Sequence, residues 1–281
     1  MQLAKETPIL KRQYEQQVAL ATELDFFNQV WVQDILHQHW SYLIDNESNI
    51  LLRLPYTKKW GFKAYLQPLF IRSLTLFAGA NAAAVLQILH SKLFLHVNLN
   101  EPFKTAASFG IFQKLTWNKG IHEIRGAYSD NIKRSLKKST SLTIKEIIYP
   151  DFHSFFVTQK GENLGKLTSK AWQRLAKLVE AAQTKDAVFC VGAYSQDQLL
   201  AAALFFKWKD QLYFMKGTLN EAGKKTGALV FLIDTVLEKY ADECQVLDFI
   251  GSNQESIASF YRKFGAKDYH YSTIKGRIPL V

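Results

Sequence analysis

The stretch from Asp248 to Lys267, DFIGSNQESIASFYRKFGAK, constrains the fold of this chain more than any other. Val246, Leu247, Phe249 and Ile250 form a short apolar run of strand type, broken at Gly251. Ser252, Asn253, Gln254 and Glu255 then spell Ser-x-x-Glu, a capping box placed just before a helical pattern. Ile257, Phe260, Tyr261 and Phe264 recur at i, i+3, i+4 and i+7, which is one helix face, and Gly265 is a natural C-terminal stop. The pattern predicts a strand that hands over, through a glycine turn, to a helix packed back on a sheet.

The residues before it extend the same layout. Three strands are predicted at 187–194, 199–208 and 211–216, separated by polar turns at Ser195-Gln196-Asp197 and Lys209-Asp210. Helices are predicted at 151–159, at 170–182 behind a Thr168 or Ser169 cap, and at 228–240. A short basic helix over 131–138, capped by Ser129 or Asp130, leads into a strand at 142–148, and a last strand is expected near 270–275. In the N-terminal part the pattern predicts a helix over 23–38 and a hairpin of strands 40–44 and 50–54. An irregular strand around Pro68 (66–70), a helix over 82–93 and strands at 94–99 and 109–117 complete the reading.

The stretch 248–267 resembles the C-terminal motif of the GNAT superfamily, and within it the Fem-like branch that includes the methicillin resistance protein-like relatives. The Fem-like spelling, Asp-Phe-x-Gly-Ser and then a helix ending Phe-Gly-Ala, fits without insertion. The spelling of ordinary GNAT acetyltransferases fits less well, because Tyr261 lies eight rather than seven residues after Asn253. LPYTKKWGFKAYLQPLF (54–70) and YSDNIKRSLKKS (128–139) are similar to segments of small bacterial members. The resemblance implies a mixed α/β, GNAT-like fold with two tandem halves around a cleft. The expected halves are 1–118, a degenerate copy, and 119–281, which carries the motif. It also implies transfer of an acyl or aminoacyl group from acyl-CoA or aminoacyl-tRNA, as cosubstrate rather than resident cofactor, to an amine acceptor such as a cell-wall precursor or small metabolite.

Candidate site residues carry two readings each. The segment Gly217 to Gly227 joins a strand to helix 228–240, and Gly223, Lys224, Lys225, Thr226 and Gly227 offer backbone N–H groups and charge of the kind that holds phosphate. The resemblance places the coenzyme A pyrophosphate there, although the glycines are spaced more widely than in the GNAT motif; a solvated loop is the other reading. Lys133, Arg134 and Lys137 are either donor-binding cations or a solvated helix face behind Ile132 and Leu136. By the same resemblance Tyr261 is the proton donor to the leaving group, against a core tyrosine. Asp248, if it faces a cleft, is a group acting on the amine, against an ion-paired or exposed strand residue. Ser252 and Glu255 are explained by capping.

Of the net charge of +10, half falls between Lys119 and Lys145, where seven basic residues face Glu123 and Asp130. That concentration favours an anionic partner, whether nucleotide, tRNA or lipid surface. It also sustains a second hypothesis: a non-catalytic GNAT-like scaffold that binds tRNA or anionic lipid through this segment. Two cysteines and seven histidines show no metal-ligand spacing, and the cysteines sit in apolar runs expected to bury reduced thiols. No apolar run approaches the roughly 20 residues of a membrane span, and a cytoplasmic protein is expected.

Overall fold

The computed structural model describes the whole chain except residues 22–24, 60, 78–80, 102, 104, 105, 107, 162–166, 252 and 279–281. In chain order the elements are β1 (Gln2–Lys5), α1 (Pro8–Leu20), α2 (Val30–Leu36), β2 (Trp40–Ile44), β3 (Ile50–Pro55), β4 (Thr57–Lys59), β5 (Phe62–Leu66), α3 (Ala82–His90) and β6 (Phe94–Leu99). β7 (Ser108–Thr116), α4 (Ile121–Gly126), α5 (Asp130–Lys138), β8 (Thr143–Ile147), α6 (Tyr149–Lys160) and α7 (Ser169–Gln183) follow. The chain closes with β9 (Val188–Ser195), β10 (Gln198–Trp208), β11 (Gln211–Leu219), α8 (Glu221–Thr226), α9 (Ala228–Tyr240), β12 (Val246–Asp248), α10 (Glu255–Arg262) and β13 (Lys267–Lys275). This is the mixed α/β architecture that the residue pattern predicts. Two compact units divide it: Met1–Ile111 with His270–Val281, and Phe112–Tyr269.

In the first unit, β1, β2 and β3 form an antiparallel sheet, and β4, β5, β6 and β13 lie side by side in that order. Its most buried cation is Arg53 at 1% exposure, whose guanidinium lies 4.4 Å from the Trp40 ring and donates to Glu6, Asp34 and Gln33. Two segments differ from expectation. Residues 23–38 are not one helix: Asp25 caps a 3₁₀ turn at Phe26–Asn28, Gln29 is extended, and α2 starts only at Val30. Around Pro68 there is no strand; pairing ends at Leu66, and Phe70 takes a left-handed conformation that no strand accommodates.

The second unit is a sheet in the order β7-β12-β11-β10-β9-β8, antiparallel except for the β11–β12 pair. α9 packs on one face, over a core that includes Leu115, Ala201, Phe205, Phe214, Ile233, Leu247 and Phe264. α6 lies against β9, β10 and β11. Alternation along β10 assigns the faces: Ala201, Ala203 and Phe205 belong to the α9-side core, whereas Ala202, Leu204 and Phe206 point the other way.

The motif that opened the reading is present, with two corrections. α10 begins at Glu255 behind Gln254, which makes no side-chain cap, so Glu255 occupies the first helical turn and pairs with Arg262 at 2.6 Å instead of closing a capping box. Ser252 lies outside the described residues. Ile257 turns outward at 37% exposure, while Tyr261 and Phe264 face the core as the periodicity asks. The expected 217–227 loop is also not a loop. β11 continues to Leu219, and Asn220 then caps α8 by accepting the Gly223 N–H at 2.8 Å.

Candidate active site

β11 and β12 run parallel for three residue pairs, Gln211–Val246, Leu212–Leu247 and Tyr213–Asp248. Beyond them β11 continues, paired with β10, while the other chain turns away. The turn is made by Asp248, whose carboxylate accepts the Ile250 N–H at 2.7 Å. Ile250 (φ +59°) and Gly251 (φ +88°) are both left-handed. A β-branched residue in that region costs about 1–3 kcal/mol and persists only where its surroundings enforce it. Asp248 is fully buried, and its second oxygen lies 3.6 Å from Lys114 Nζ. Its oxygens are thus committed to holding the turn and to an ion pair.

Phe214 and Phe249 are the first residues past the last pair on each strand, and Tyr261 joins them. Its ring stacks on Phe249 at 4.3 Å and meets Phe214 edge-on at 6.0 Å, so one aromatic side chain bridges the parting strands on the α9 side. The Tyr261 hydroxyl has no hydrogen-bond partner among the described residues. Burial raises its pKa above the ordinary phenol range, so the proton is held throughout the neutral range.

A wall of contacts links this point to the expected donor-binding residues. At Gly217 a Cβ would stand 2.4 Å from the Phe214 ring and 3.3 Å from Leu229 of α9. Gly223 has a packing reason of its own, because a Cβ there would meet the Leu200 carbonyl at 2.4 Å. Thr226 donates back to the Ala222 carbonyl at 3.0 Å. Gly227 is left-handed (φ +71°) between α8 and α9, and a Cβ would approach the Ser135 carbonyl to 3.0 Å. α5, which carries three of the expected cations, therefore sits against the α8–α9 junction.

Lys133, Arg134 and Lys137 on α5 and Lys224 and Lys225 on α8 are all exposed. Arg134 donates to Asn131 and to the Asp130 carbonyl, and none of the five forms an ion pair with a carboxylate among the described residues. Lys138 of α5 is likewise exposed without an ion pair among the described residues, whereas Arg125 and Lys145 of the basic segment are paired. Arg125 is clamped by Asp234 (2.8 Å) and Glu238 (3.0 Å) of α9, with the Tyr128 hydroxyl donating to the same Asp234. Lys145 lies 3.8 Å from Asp197. Ser129 begins α5 without a cap bond, and its buried hydroxyl is unpartnered among the described residues.

Other titratable side chains lie elsewhere. His270 is exposed on β13. Cys190 and Cys244 are buried free thiols whose pKa values burial pushes up to about 12 and about 11, far from thiolate chemistry. No helix among the described residues is long and apolar enough to cross a membrane. Sequence reasoning did not single out Phe214 and Phe249 as the frame of the site, since both read as ordinary strand residues until pairing shows where the strands part.

Residues 130–269 match the family model of the acetyltransferase (GNAT) domain. Among solved structures, FemX has a TM-score of 0.64 at 10% identity, covering 98% of this chain and 97% of that one. A tandem GNAT protein from the clavulanic acid biosynthesis pathway gives 0.55 at 12% identity, over 97% and 96% of the two chains. The C-terminal DUF2156 domain of an Agrobacterium fabrum protein named as a lysylphosphatidylglycerol synthetase gives 0.54 at 10% identity, over 94% and 92%. At such identities the likeness is one of fold. No curated protein matches by sequence.

Proposed function

The chain carries an acetyltransferase (GNAT) domain over residues 130–269, and from that premise we propose that it transfers an acyl group from an acyl thioester, of the acyl-CoA kind, to an amine. The observation that carries this reading is the Tyr261 hydroxyl, protonated and unpartnered among the described residues, at the point where β11 and β12 part. In the step, the acceptor nitrogen attacks the thioester carbonyl, the C–N bond forms and the C–S bond breaks. The sulfur leaves as thiolate and takes the Tyr261 proton, while the amine loses one. Lys133, Arg134, Lys137, Lys224 and Lys225 offer charge to the donor's phosphates, and Gly227 lets α5 approach. Asp248 serves the site by fixing the Ile250–Gly251 turn rather than by moving a proton.

An aminoacyl-tRNA donor uses the same chemistry at an ester and the same cations. Thermal-shift titration with acetyl-CoA, and separately with charged tRNA, separates the two. A ligand at 100 times its Kd stabilises the native state by about 2.7 kcal/mol, and stabilisation by neither overturns the transferase reading. The five cations without a carboxylate partner also support a second reading, a scaffold that binds RNA or anionic lipid without turnover. That scaffold would show salt-sensitive binding and indifference to Tyr261→Phe.

A further inference from the structure

β11 carries a second unusual residue, on the face away from Tyr261. Its pairing with β10 shifts register between Phe205–Phe214 and Leu204–Lys216, leaving Met215 as a bulge. The bulge falls just past the last β11–β12 pair, where no β12 residue stands opposite β11. Gly217 faces α9, so Lys216 and Thr218 face the α6 side, in register with Leu204 and Ala202. Lys216 is only partly exposed. It makes no hydrogen bond or ion pair among the described residues, and neither Asp151 nor His153 of α6, nor Lys207 of β10, pairs with it. Two residues on, the Thr218 hydroxyl is buried at 1% residue exposure with no partner either.

An ammonium in this position is a liability. Burial alone lowers the Lys216 pKa, with no neighbouring charge contributing. Methionine or leucine would fill the same space without desolvating a charge. A lysine whose burial favours the free amine has the property a general base needs.

We infer that Lys216 is the catalytic base that takes the proton from the acceptor amine. This inference rests on the acyltransferase reading above and adds the residue that reading leaves open. The acceptor nitrogen approaches from the α6 side, and its proton passes to Lys216 Nζ as the C–N bond forms. Sulfur leaves toward the α9 side and collects the Tyr261 proton. Lys216 then returns its proton to solvent, Tyr261 regains one, and the net products are amide and thiol. Base and acid act from opposite faces of the sheet, and they can meet one carbonyl only where the sheet is interrupted.

The test uses the full chain, acetyl-CoA and a panel of primary amines, with free thiol release as the readout. Lys216→Met keeps the apolar stem and removes only the amine. The expected result is a kcat loss of about 100-fold or more, the usual scale for a general base, with acetyl-CoA affinity within a factor of about 3 of the parent. Competitive acetic anhydride labelling across pH, read by mass spectrometry, should give Lys216 a lower midpoint than Lys224 in the parent. Parent turnover matched by Lys216→Met overturns the base assignment and leaves the transferase standing. A Lys216 midpoint equal to that of Lys224 also overturns the assignment. A parent that neither binds acetyl-CoA nor releases thiol sinks the transferase reading, and the base falls with it.

Discussion

Tyr261 and Lys216 are each perturbed by burial, in opposite senses: the phenol is held protonated and the amine is pushed toward its free form. Tyr261→Phe keeps the ring on Phe249 and should change stability by less than about 1 kcal/mol, yet lower kcat by about 100-fold. Tyr261→Ala would also open the core and cost about 3–5 kcal/mol. Urea melts and thiol-release kinetics separate the two effects. For Lys216 the folded pKa lies below the unfolded one, so between those values the unfolded chain binds more protons and stability rises with pH. Lys216→Met should therefore be more stable than the parent below the folded pKa, with the gap closing as pH approaches the unfolded value near 10.5. A gap independent of pH would contradict this. Tyr261 and Asp248 were legible in the sequence as positions, because the motif names them. Their roles were not, since an apolar helix face gives no sign of which strands part beneath it. Lys216 left no signal at all, because a lysine closing a strand is ordinary until its partners are seen to be missing.

Among the elements, those whose boundaries were legible have strong periodicity and a clear stop. α9 at 228–240 and β6 at 94–99 fall where the pattern puts them. α8 was missed because two glycines and two lysines in the five residues from Gly223 to Gly227 read as a phosphate-binding loop. What makes it helical is the Asn220 cap and the packing of Gly223 against Leu200, and the second of these is a tertiary contact. The α8–α9 junction is the element-level test of the donor site. Gly227→Ala forces a side chain into a left-handed residue 3.0 Å from the Ser135 carbonyl. It should cost about 1–2 kcal/mol and weaken acetyl-CoA binding by displacing α5. Loss of stability with unchanged donor affinity would detach α5 from the site.

For the whole molecule, the net charge of +10 predicts an anionic ligand less well than its placement does. Arg125 and Lys145 are matched by Asp234, Glu238 and Asp197, so in the proposed site the long-range attraction to the donor falls to the exposed cations of α5 and α8. Because they are exposed, that attraction is screened, and donor affinity should fall several-fold between about 0.05 and 0.3 M salt. The fold class was legible in a twenty-residue motif, and the acetyltransferase domain at 130–269 agrees with it. The acceptor was not legible, because the residues that select an amine follow no spacing along the chain. The central claim is that unit Phe112–Tyr269 holds an acyl-CoA-type donor at the α5–α8 cations. Calorimetric titration with acetyl-CoA measures it most directly. The account predicts one site per chain, weakened at least about 10-fold in the Lys224→Ala/Lys225→Ala double variant and unchanged in Tyr261→Phe. No binding to the parent, or equal affinity in the double variant, would contradict it.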